Sequence, residues 1–556
     1  MKIYDQDESY SILDFSDMDV KDIMDLKISL VDALSCYVEG YKFMPQYRAG
    51  TFDGKKYFFD VLPDGNMRIP KGLVQSIIKL FRKHITEEYQ PLRKPEYVST
   101  EEIEQFVETL DLPFPPRSYQ IEAVVKTIND ARKICVMCTS SGKSMTIYIL
   151  LRYFMSKGMK GILIVPNVGL VEQMFGDFKE YNFKNIDDFV HVIYAGKDKN
   201  FDKPITVTTW QSGMRMHEDN FAGLDYVFID EAHLAKGDSL TALINASKNC
   251  LYKVGFTGTL PKVHADRFTL SATLGKSEKI ITAQGLIDLG FATPVSIISM
   301  YLNYPEEEKK IVKKLKYQQE VKYIEEHYRR NNFIAKLAVH STKMYGNTLL
   351  LYNTLSHGEF LLKLVLQNKF GLSNVQVLEK ITKMRLEKAL ELDPEKLFTL
   401  TPLTPKDKKL ITKYMSKEEM EEKFDTLSNY NIFIIKGDID GETRNKIRAL
   451  IEAVDDAILI ASFGTVSTGV SIKRLHNIFL CSSTASSIRL LQSVGRGMRQ
   501  HKDKSVVRLF DFIDDFSKKL KNGKMQNKNH VLKHSFNRLD DYIEQGFPIK
   551  EKEVDI

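Results

Sequence analysis

Short apolar runs alternating with helix-length amphipathic segments predict an α/β protein made of two tandem parallel-sheet domains. Two more observations complete the outline. A small α+β module with Asp-Gly turns precedes the first alternating series, and helical sequence at residues 371–430 interrupts the second. A chain of 556 residues needs such a division, because single cores rarely exceed about 250–300 residues. The expected layout is a module at residues 1–95, a first sheet domain at 96–295, a second at 296–515 and a basic tail at 516–556.

In the module, Asp53-Gly54 and Asp64-Gly65 flank a short strand signal. Residues 73–84 then carry apolar side chains at helical spacing, with Lys79, Arg82 and Lys83 left on polar positions. That basic face reads either as a solvated surface or as a contact for a polyanion. The first alternating series has apolar runs at 134–137, 161–165, 190–194, 205–208, 226–229 and 253–256; the second has runs at 348–352, 432–435, 457–461, 477–481 and 505–510. Runs without polar alternation belong to parallel sheets, because both faces of such a sheet are covered by helices. Within 371–430, Leu378, Ile381, Leu386 and Leu390 fall on one helical face, and Thr404-Pro405 and the Ser416/Glu419 capping pattern start helices. An unstructured loop of that length would be unusual, so a helical insertion is expected. Beyond residue 516, Lys518, Lys519, Lys521, Lys524, Lys528 and Lys533 suit either a solvated tail or one that follows phosphates.

Composition narrows the setting. The net charge of +6, from 79 basic and 73 acidic residues, permits a nucleic-acid partner without requiring one. Five cysteines in a chain this long do not form a disulfide framework, which points to a reducing compartment. The amino terminus is acidic, and no apolar stretch is long enough to cross a bilayer, so a cytosolic protein with no membrane partner is expected.

Two stretches carry chemistry. Cys138-Thr139-Ser140-Ser141-Gly142-Lys143-Ser144 lies between an apolar strand and a helix, where unpaired backbone N–H groups and the helix dipole favour phosphate. In a phosphate loop Thr139, Ser140, Ser141 and Gly142 would cradle the anion, Lys143 would reach the β- and γ-phosphates of ATP, and Ser144 would hold Mg²⁺. The glycine usual at the start of such a loop is Met137 here, so an ordinary strand-turn-helix stays open at this point. The second stretch is Asp230-Glu231-Ala232-His233, which follows an apolar strand. Carboxylates at the carboxyl end of a parallel strand sit where such sheets bind ligands. Asp230 suits Mg²⁺, and Glu231 suits activation of the attacking water. Cys135-x-x-Cys138 has metal spacing but no second pair, and is expected to be structural.

These motifs and their order over about residues 117–515 resemble the superfamily 2 helicases and translocases with a DEAH-type box. The resemblance implies two RecA-like domains with ATP bound between them. It gives Arg117, Tyr119 and Gln120 an adenine-reading role, Thr257-Gly258-Thr259 the coupling of hydrolysis to movement, and Pro166, Asn167, Thr209 and Gln211 contacts to a nucleic-acid strand. Ser271-Ala272-Thr273 spells the family's common coupling triplet but lies beyond the expected strand end. In the second domain Thr354, Gly437 and Thr465 would contact the strand and Gly469 the nucleotide, while Gln492, Arg496 and Arg499 share a helical face, the two arginines to meet the γ-phosphate and Gln492 to sense nucleotide beside His233.

More narrowly, the Asp-Gly-rich module, Gly285 to Phe291 and Gly437 to Arg444 resemble the phage UvsW-type branch-migration helicases. That resemblance implies a host cytoplasmic DNA motor acting on forks, Holliday junctions or D-loops in recombination, repair or replication. Lys79 and Arg82 would then contact duplex DNA, and recombination or single-strand-binding proteins would be partners. The insertion at 371–430 departs from that pattern. An RNA helicase, the translocating subunit of a restriction complex and a nucleotide-regulated binding protein are the competing readings.

Overall fold

The computed structural model describes residues 1–193, 203–213, 215, 219–235, 242–243, 246–370, 431–435, 449, 451–464, 472–483, 495, 497–498, 500–519, 525–526 and 528–556. They form two compact units, Met1–Ile281 and Thr282–Ile556. The helical insertion expected at 371–430 lies outside the described residues.

The first unit opens with an antiparallel sheet of order β1-β2-β6-β5, from β1 (Lys2–Asp5), β2 (Tyr10–Asp14), β5 (Asp60–Val61) and β6 (Met67–Pro70). Helix α1 (Val20–Ala33) covers it with Leu26 and Leu30. A separate ribbon pairs β3 (Ser35–Tyr37) with β4 (Lys55–Tyr57). The basic segment expected as one helix is a 3-10 turn, α2 (Val74–Leu80) and a second 3-10 turn, with Lys79 and Arg82 exposed.

A seven-stranded parallel sheet follows, in the order β13-β7-β12-β11-β8-β10-β9. Its strands are β7 (Arg132–Met137), β8 (Gly161–Val165), β9 (Val190–Ile193), β10 (Ile205–Thr209), β11 (Tyr226–Ile229), β12 (Tyr252–Thr257) and β13 (Ser277–Ile281). Helices α3 (Ser118–Asp130), α4 (Lys143–Ser156), α5 (Val168–Glu180) and α6 (His264–Leu274) complete the elements used below. The N-terminal module does not end as a separate body near residue 95: its core takes in Ala265 and Ala272 of α6 along with Leu13, Leu30 and Ile69. The carbonyls of Ser271 and Ala272 come so close to Gly72 that a Cβ there would lie 2.4 and 2.5 Å from their oxygens. Ser271-Ala272-Thr273 is therefore a helical packing surface.

The second unit holds another seven-stranded parallel sheet, of order β16-β17-β15-β18-β19-β14-β22. Its strands are β14 (Val295–Asn303), β15 (Thr348–Tyr352), β16 (Ile432–Ile435), β17 (Ile458–Ser462), β18 (Asn477–Leu480), β19 (Val507–Asp515) and β22 (Ile549–Asp555), with a small ribbon of β20 (Lys518–Lys519) and β21 (Met525–Gln526) apart from it. Its helices include α7 (Tyr317–Glu326), α8 (Tyr328–Tyr345), α9 (Leu355–Phe370) and α10 (His530–Glu544). The fold is thus two RecA-like parallel sheets with a small α+β region at the amino terminus.

The expected basic tail is a correction. Residues from 530 onward form α10 and β22, and β22 pairs with β14 along its whole length. Its sequence, Ile-Lys-Glu-Lys-Glu-Val-Asp, lacks an apolar run because an edge strand with solvent on its flank needs none. The joint is further held by buried charge. Asp511 and Asp514 of β19 are three residues apart, so their side chains leave opposite faces of the sheet. Arg330 of α8 grips Asp514 at 2.7 and 3.0 Å, and Arg538 of α10 grips Asp511 at 2.6 and 2.9 Å, with the Tyr542 hydroxyl donating to Asp511 at 2.9 Å.

Asp511→Ala would leave the Arg538 guanidinium buried without its carboxylate, and denaturant titration should show a loss of about 3–5 kcal/mol. An unchanged midpoint and slope would contradict this role. All five cysteines are free and buried, and burial pushes the Cys135 thiol up to about 11 and the Cys138 thiol up to about 12. The native chain should therefore take up a thiol reagent at pH 8 only slowly and release its full reactivity on unfolding; a fast native reaction at two thiols would refute the structural reading of Cys135-x-x-Cys138.

Candidate active site

All strands of the first sheet run in one direction, so the loops that follow them gather on one edge. The phosphate-loop candidate follows β7, the Asp230-Glu231 pair follows β11, and Thr257-Gly258-Thr259 ends and follows β12, which lies between those two strands. The strand-contact candidates Pro166 and Asn167 follow β8, and Thr209 and Gln211 end and follow β10, next along the same edge.

The loop after β7 turns on two residues of left-handed backbone. Ser140 and Gly142 both take left-handed backbone, at φ +68° and +80°. The N–H of Ser141, between them, donates to the carbonyl of Cys138 at 3.2 Å, and the first turn of α4 follows directly, where helix geometry favours an anion. Gly142 is constrained twice, since a Cβ there would also sit 2.3 Å from Nε2 of Gln120. The loop is gripped from below. Tyr119 Oη donates to the carbonyl of Ser141 at 2.6 Å, and Gln120 Nε2 donates to the carbonyls of Ser141 and Gly142 at 3.0 and 3.1 Å. Arg117 Nη1 donates to Tyr119 Oη at 2.8 Å, and its backbone N–H donates to Gln120 Oε1 at 2.8 Å. The three residues assigned to adenine thus also set the form of the loop, a part that spacing in the sequence did not reveal.

Lys143 Nζ lies 2.6 Å from Glu231 Oε1. Burial works against the Lys143 charge, but Glu231 and Asp230 outweigh it and hold its pKa above the ordinary lysine value. The same pairing acts on the carboxylates: burial would raise both, yet Lys143 and His233 hold Glu231 well below the usual range, while Asp230 is left pushed up to about 6. Asp230 Oδ1 is buried and has no hydrogen-bond partner among the described residues. A buried carboxylate oxygen that lacks a donor, next to a loop built for phosphate, suits a divalent cation. Ser144, the other residue expected to hold the ion, lies in the first turn of α4, with its side chain hydrogen-bonded to Tyr181. Glu231 has φ +47°, an uncommon backbone for a residue with a side chain and one found at functional sites.

His233 connects this pair to β12. Its Nδ1 lies 2.8 Å from Thr257 Oγ1 and 3.2 Å from Glu231 Oε2. Thr257 Oγ1 donates its one proton to the carbonyl of Thr259 at 2.7 Å. It must then accept from His233, which puts the imidazole proton on Nδ1 and leaves Nε2 buried without a partner among the described residues.

The strand-contact candidates are placed in two ways. Gln211 and Asn167 are exposed, and Asn167 Oδ1 also caps α5 by accepting from the N–H of Leu170 at 3.0 Å. Thr209 is buried and accepts from the N–H of Ser212 at 3.3 Å, and Pro166 is half-buried. In the second unit the Thr354 hydroxyl donates to Glu325 Oε2 at 2.7 Å, and Glu325 Oε1 accepts from Ser482 at 2.9 Å. Glu325 was not foreseen, because it lies on α7, far from the motif in sequence. Gly437, Thr465, Gly469, Gln492, Arg496 and Arg499 lie outside the described residues.

Known proteins match this arrangement. The model for the res subunit of type III restriction enzymes covers residues 113–262, and the N-terminal model of the DNA helicase UvsW covers residues 7–89. Over 550 residues, 95% of each chain, the sequence is 28% identical to the ATP-dependent DNA helicase uvsW of Enterobacteria phage T4. It is 30% identical over 181 residues to the DNA 3'-5' translocase XPB2 of Sulfurisphaera tokodaii, 31% of this chain and 38% of that one. The crystal structure of T4 UvsW aligns over 100% of this chain and 99% of that chain, with 25% identity and a TM-score of 0.44. The Type ISP restriction-modification enzyme LlaBIII bound to DNA aligns over 87% of this chain and 34% of its own, at 12% identity and a TM-score of 0.50, which is a likeness of fold. With one relative aligned along nearly the full length of both chains, and with the res-subunit and N-terminal UvsW models matched in their own regions, this chain is similar to the superfamily 2 helicases of the phage UvsW type.

Proposed function

We propose that the chain is an ATP-dependent DNA motor that works on branched DNA, through fork regression or branch migration of Holliday junctions and D-loops, in recombination, repair or replication. The observation that carries this reading is the linked set Lys143–Glu231–His233–Thr257 on one sheet edge. ATP is the nucleotide, and Mg²⁺ held by Ser144 and Asp230 would neutralise phosphate charge when bound. Phosphate oxygens would compete with Glu231 for Lys143, and the carboxylate so released would orient and deprotonate the attacking water. Arg117, Tyr119 and Gln120 would meet the adenine while holding the loop in shape, and Gly469 would lie with them at the nucleotide. Arg496 and Arg499 would meet the γ-phosphate, and Gln492 would sense the nucleotide.

Thr257 is the element through which a change at Glu231 reaches β12. Pro166, Asn167, Thr209, Gln211, Thr354, Gly437 and Thr465 would hold one strand through its backbone, a mode that fixes register without reading sequence. Lys79 and Arg82 would take the duplex, with recombination or single-strand-binding proteins as partners in the host cytoplasm. Hydrolysis becomes directional movement only if the grip on DNA differs between nucleotide states.

The test is ATP hydrolysis and strand exchange on a synthetic four-way junction. Glu231→Gln should lower hydrolysis by about 10²–10⁴-fold while ATP still binds, and Lys143→Ala should lose both binding and turnover. Stimulation by single-stranded RNA but not by duplex or junction DNA would defeat the DNA reading. Junction activity that appears only with a methylase partner would favour a restriction-complex subunit. His233→Ala should keep most of the hydrolysis but lose strand exchange; equal loss of both would mean that His233 serves the chemistry alone. Lys79→Ala with Arg82→Ala should weaken duplex binding with a shallower salt dependence, by about one to two in the log–log slope. Point changes are the right probe of the module, since deleting residues 1–95 would uncover the shared core at Ala265 and Ala272.

A further inference from the structure

The β3–β4 ribbon of the N-terminal module has an aromatic outer face that the proposed machinery leaves unused. In its antiparallel register Ser35 lies opposite Tyr57, Cys36 opposite Lys56 and Tyr37 opposite Lys55. Strand alternation therefore puts Tyr37, Lys55 and Tyr57 on one face and Cys36 and Lys56 on the other. The inner face is anchored to the motor domain. Cys36 is buried, Lys56 Nζ donates to Thr269 Oγ1 of α6 at 3.3 Å, and Phe58, just beyond β4, packs on Phe268 with ring centroids 4.5 Å apart.

The outer face is open to solvent, with Tyr37 53% and Tyr57 43% exposed. Tyr37 stacks on Tyr41 at 4.7 Å and 21°, and Tyr41 meets Tyr47 edge-on at 4.8 Å. Cations flank these rings: Lys55 Nζ lies 5.5 Å from the Tyr37 centroid, Lys42 Nζ lies 5.8 Å from that of Tyr41, and Arg48 is exposed next to Tyr47. The carboxylates at this face serve to orient it. Asp32 pairs with Lys55 at 3.2 Å, and Asp53 accepts from the Tyr57 hydroxyl.

A contiguous aromatic surface kept in water marks an interaction site. Its chemistry selects the partner. A surface for an apolar protein would favour aliphatic side chains and dry edges, whereas these rings carry water-compatible hydroxyls and have ammonium groups beside them. Unpaired nucleotides offer π-faces for the rings and phosphates for the cations, and aromatic side chains standing on an exposed strand pair are a known way to stack bases. Bases paired within a duplex hide those faces, so the surface favours single strands over duplex.

We propose that the outer face of the β3–β4 ribbon, through Tyr37 and Tyr57 with Lys55 and Lys42 at their side, binds unpaired nucleotides of one strand by base stacking, without reading their sequence. The proposal rests on the reading of the chain as a DNA motor and extends it. Lys79 and Arg82 take duplex, and the ribbon takes the unpaired bases that a branch exposes.

The experiment uses the full chain with two probes, a single-stranded oligonucleotide carrying 2-aminopurine and a blunt duplex of the same sequence. Tyr37→Ala with Tyr57→Ala should bind the single strand at least about tenfold more weakly and lose the quenching of 2-aminopurine, with duplex binding and duplex-stimulated hydrolysis within about twofold of wild type. Tyr37→Phe with Tyr57→Phe should keep both affinity and quenching, because stacking does not need the hydroxyl. Unchanged single-strand affinity in the alanine pair, equal losses on both probes, or a phenylalanine pair as weak as the alanine pair would each overturn the proposal. Wild-type protein that binds neither probe would overturn the DNA-motor reading along with it, whereas normal duplex binding with a failed alanine effect would sink the ribbon alone.

Discussion

The contact between Lys143 and Glu231 is the constraint from which the rest of the first unit can be understood. It joins the loop after β7 to the end of β11 across an intervening strand, and its two side chains are only 15% and 17% exposed, which limits screening by water. In such surroundings an ion pair is strong but intolerant of misplacement, because each partner left alone would carry an uncompensated desolvation cost. The left-handed turns at Ser140, Gly142 and Glu231, and the grip of Tyr119 and Gln120 on the loop, all serve to hold the two charges at that distance. Asp230 is the exception: its buried Oδ1 has no donor among the described residues.

Strand order brings the groups of this edge into contact. Because β12 lies between β7 and β11, the Thr257 hydroxyl is in reach of His233 and hence of Glu231. The same two strands, β7 and β12, carry the N-terminal module at their opposite ends. Arg132 opens β7 and donates to the carbonyl of Glu8, and Lys253, near the start of β12, donates to that carbonyl at 2.9 Å and to Ser9 Oγ at 2.7 Å. Burial drives the Lys253 pKa well below the ordinary lysine value, so the neutral oxygens of the module are what keep that amine supplied with partners. Lys71 answers from the module side with Asp5 and Glu8, both at 2.6 Å. Module and sheet share polar contacts as well as a core.

The second unit solves a different problem, which is how to finish a sheet whose last strand comes from the end of the chain. Asp511 and Asp514 on β19 each receive a two-point arginine clamp, one from α10 and one from α8 on the other face. Paired in this way, buried charge specifies geometry, since guanidinium and carboxylate planes must align. The region near Thr354 shows the same economy: Glu325, on α7, orients a hydroxyl that the motif alone would leave free to rotate.

The sequence by itself determined the α/β class, eleven of the fourteen strands of the two parallel sheets, and the position of the candidate phosphate loop after β7 and of Asp230-Glu231 after β11. Buried parallel strands write themselves as apolar runs, and the chemistry of nucleotide sites needs fixed residue types at short spacing. The strands that escaped were β13, β14 and β22, which carry polar positions because part of each is solvated or follows an alternating pattern. Tertiary structure alone decided that residues 530–555 are a helix and an edge strand, that Ser271-Ala272-Thr273 is a packing surface and that Gln120 props the phosphate loop. It alone decided too that Glu325 stands under Thr354. Each of these depends on partners tens to hundreds of residues away, and no local pattern records a contact whose two halves meet only after the chain has folded.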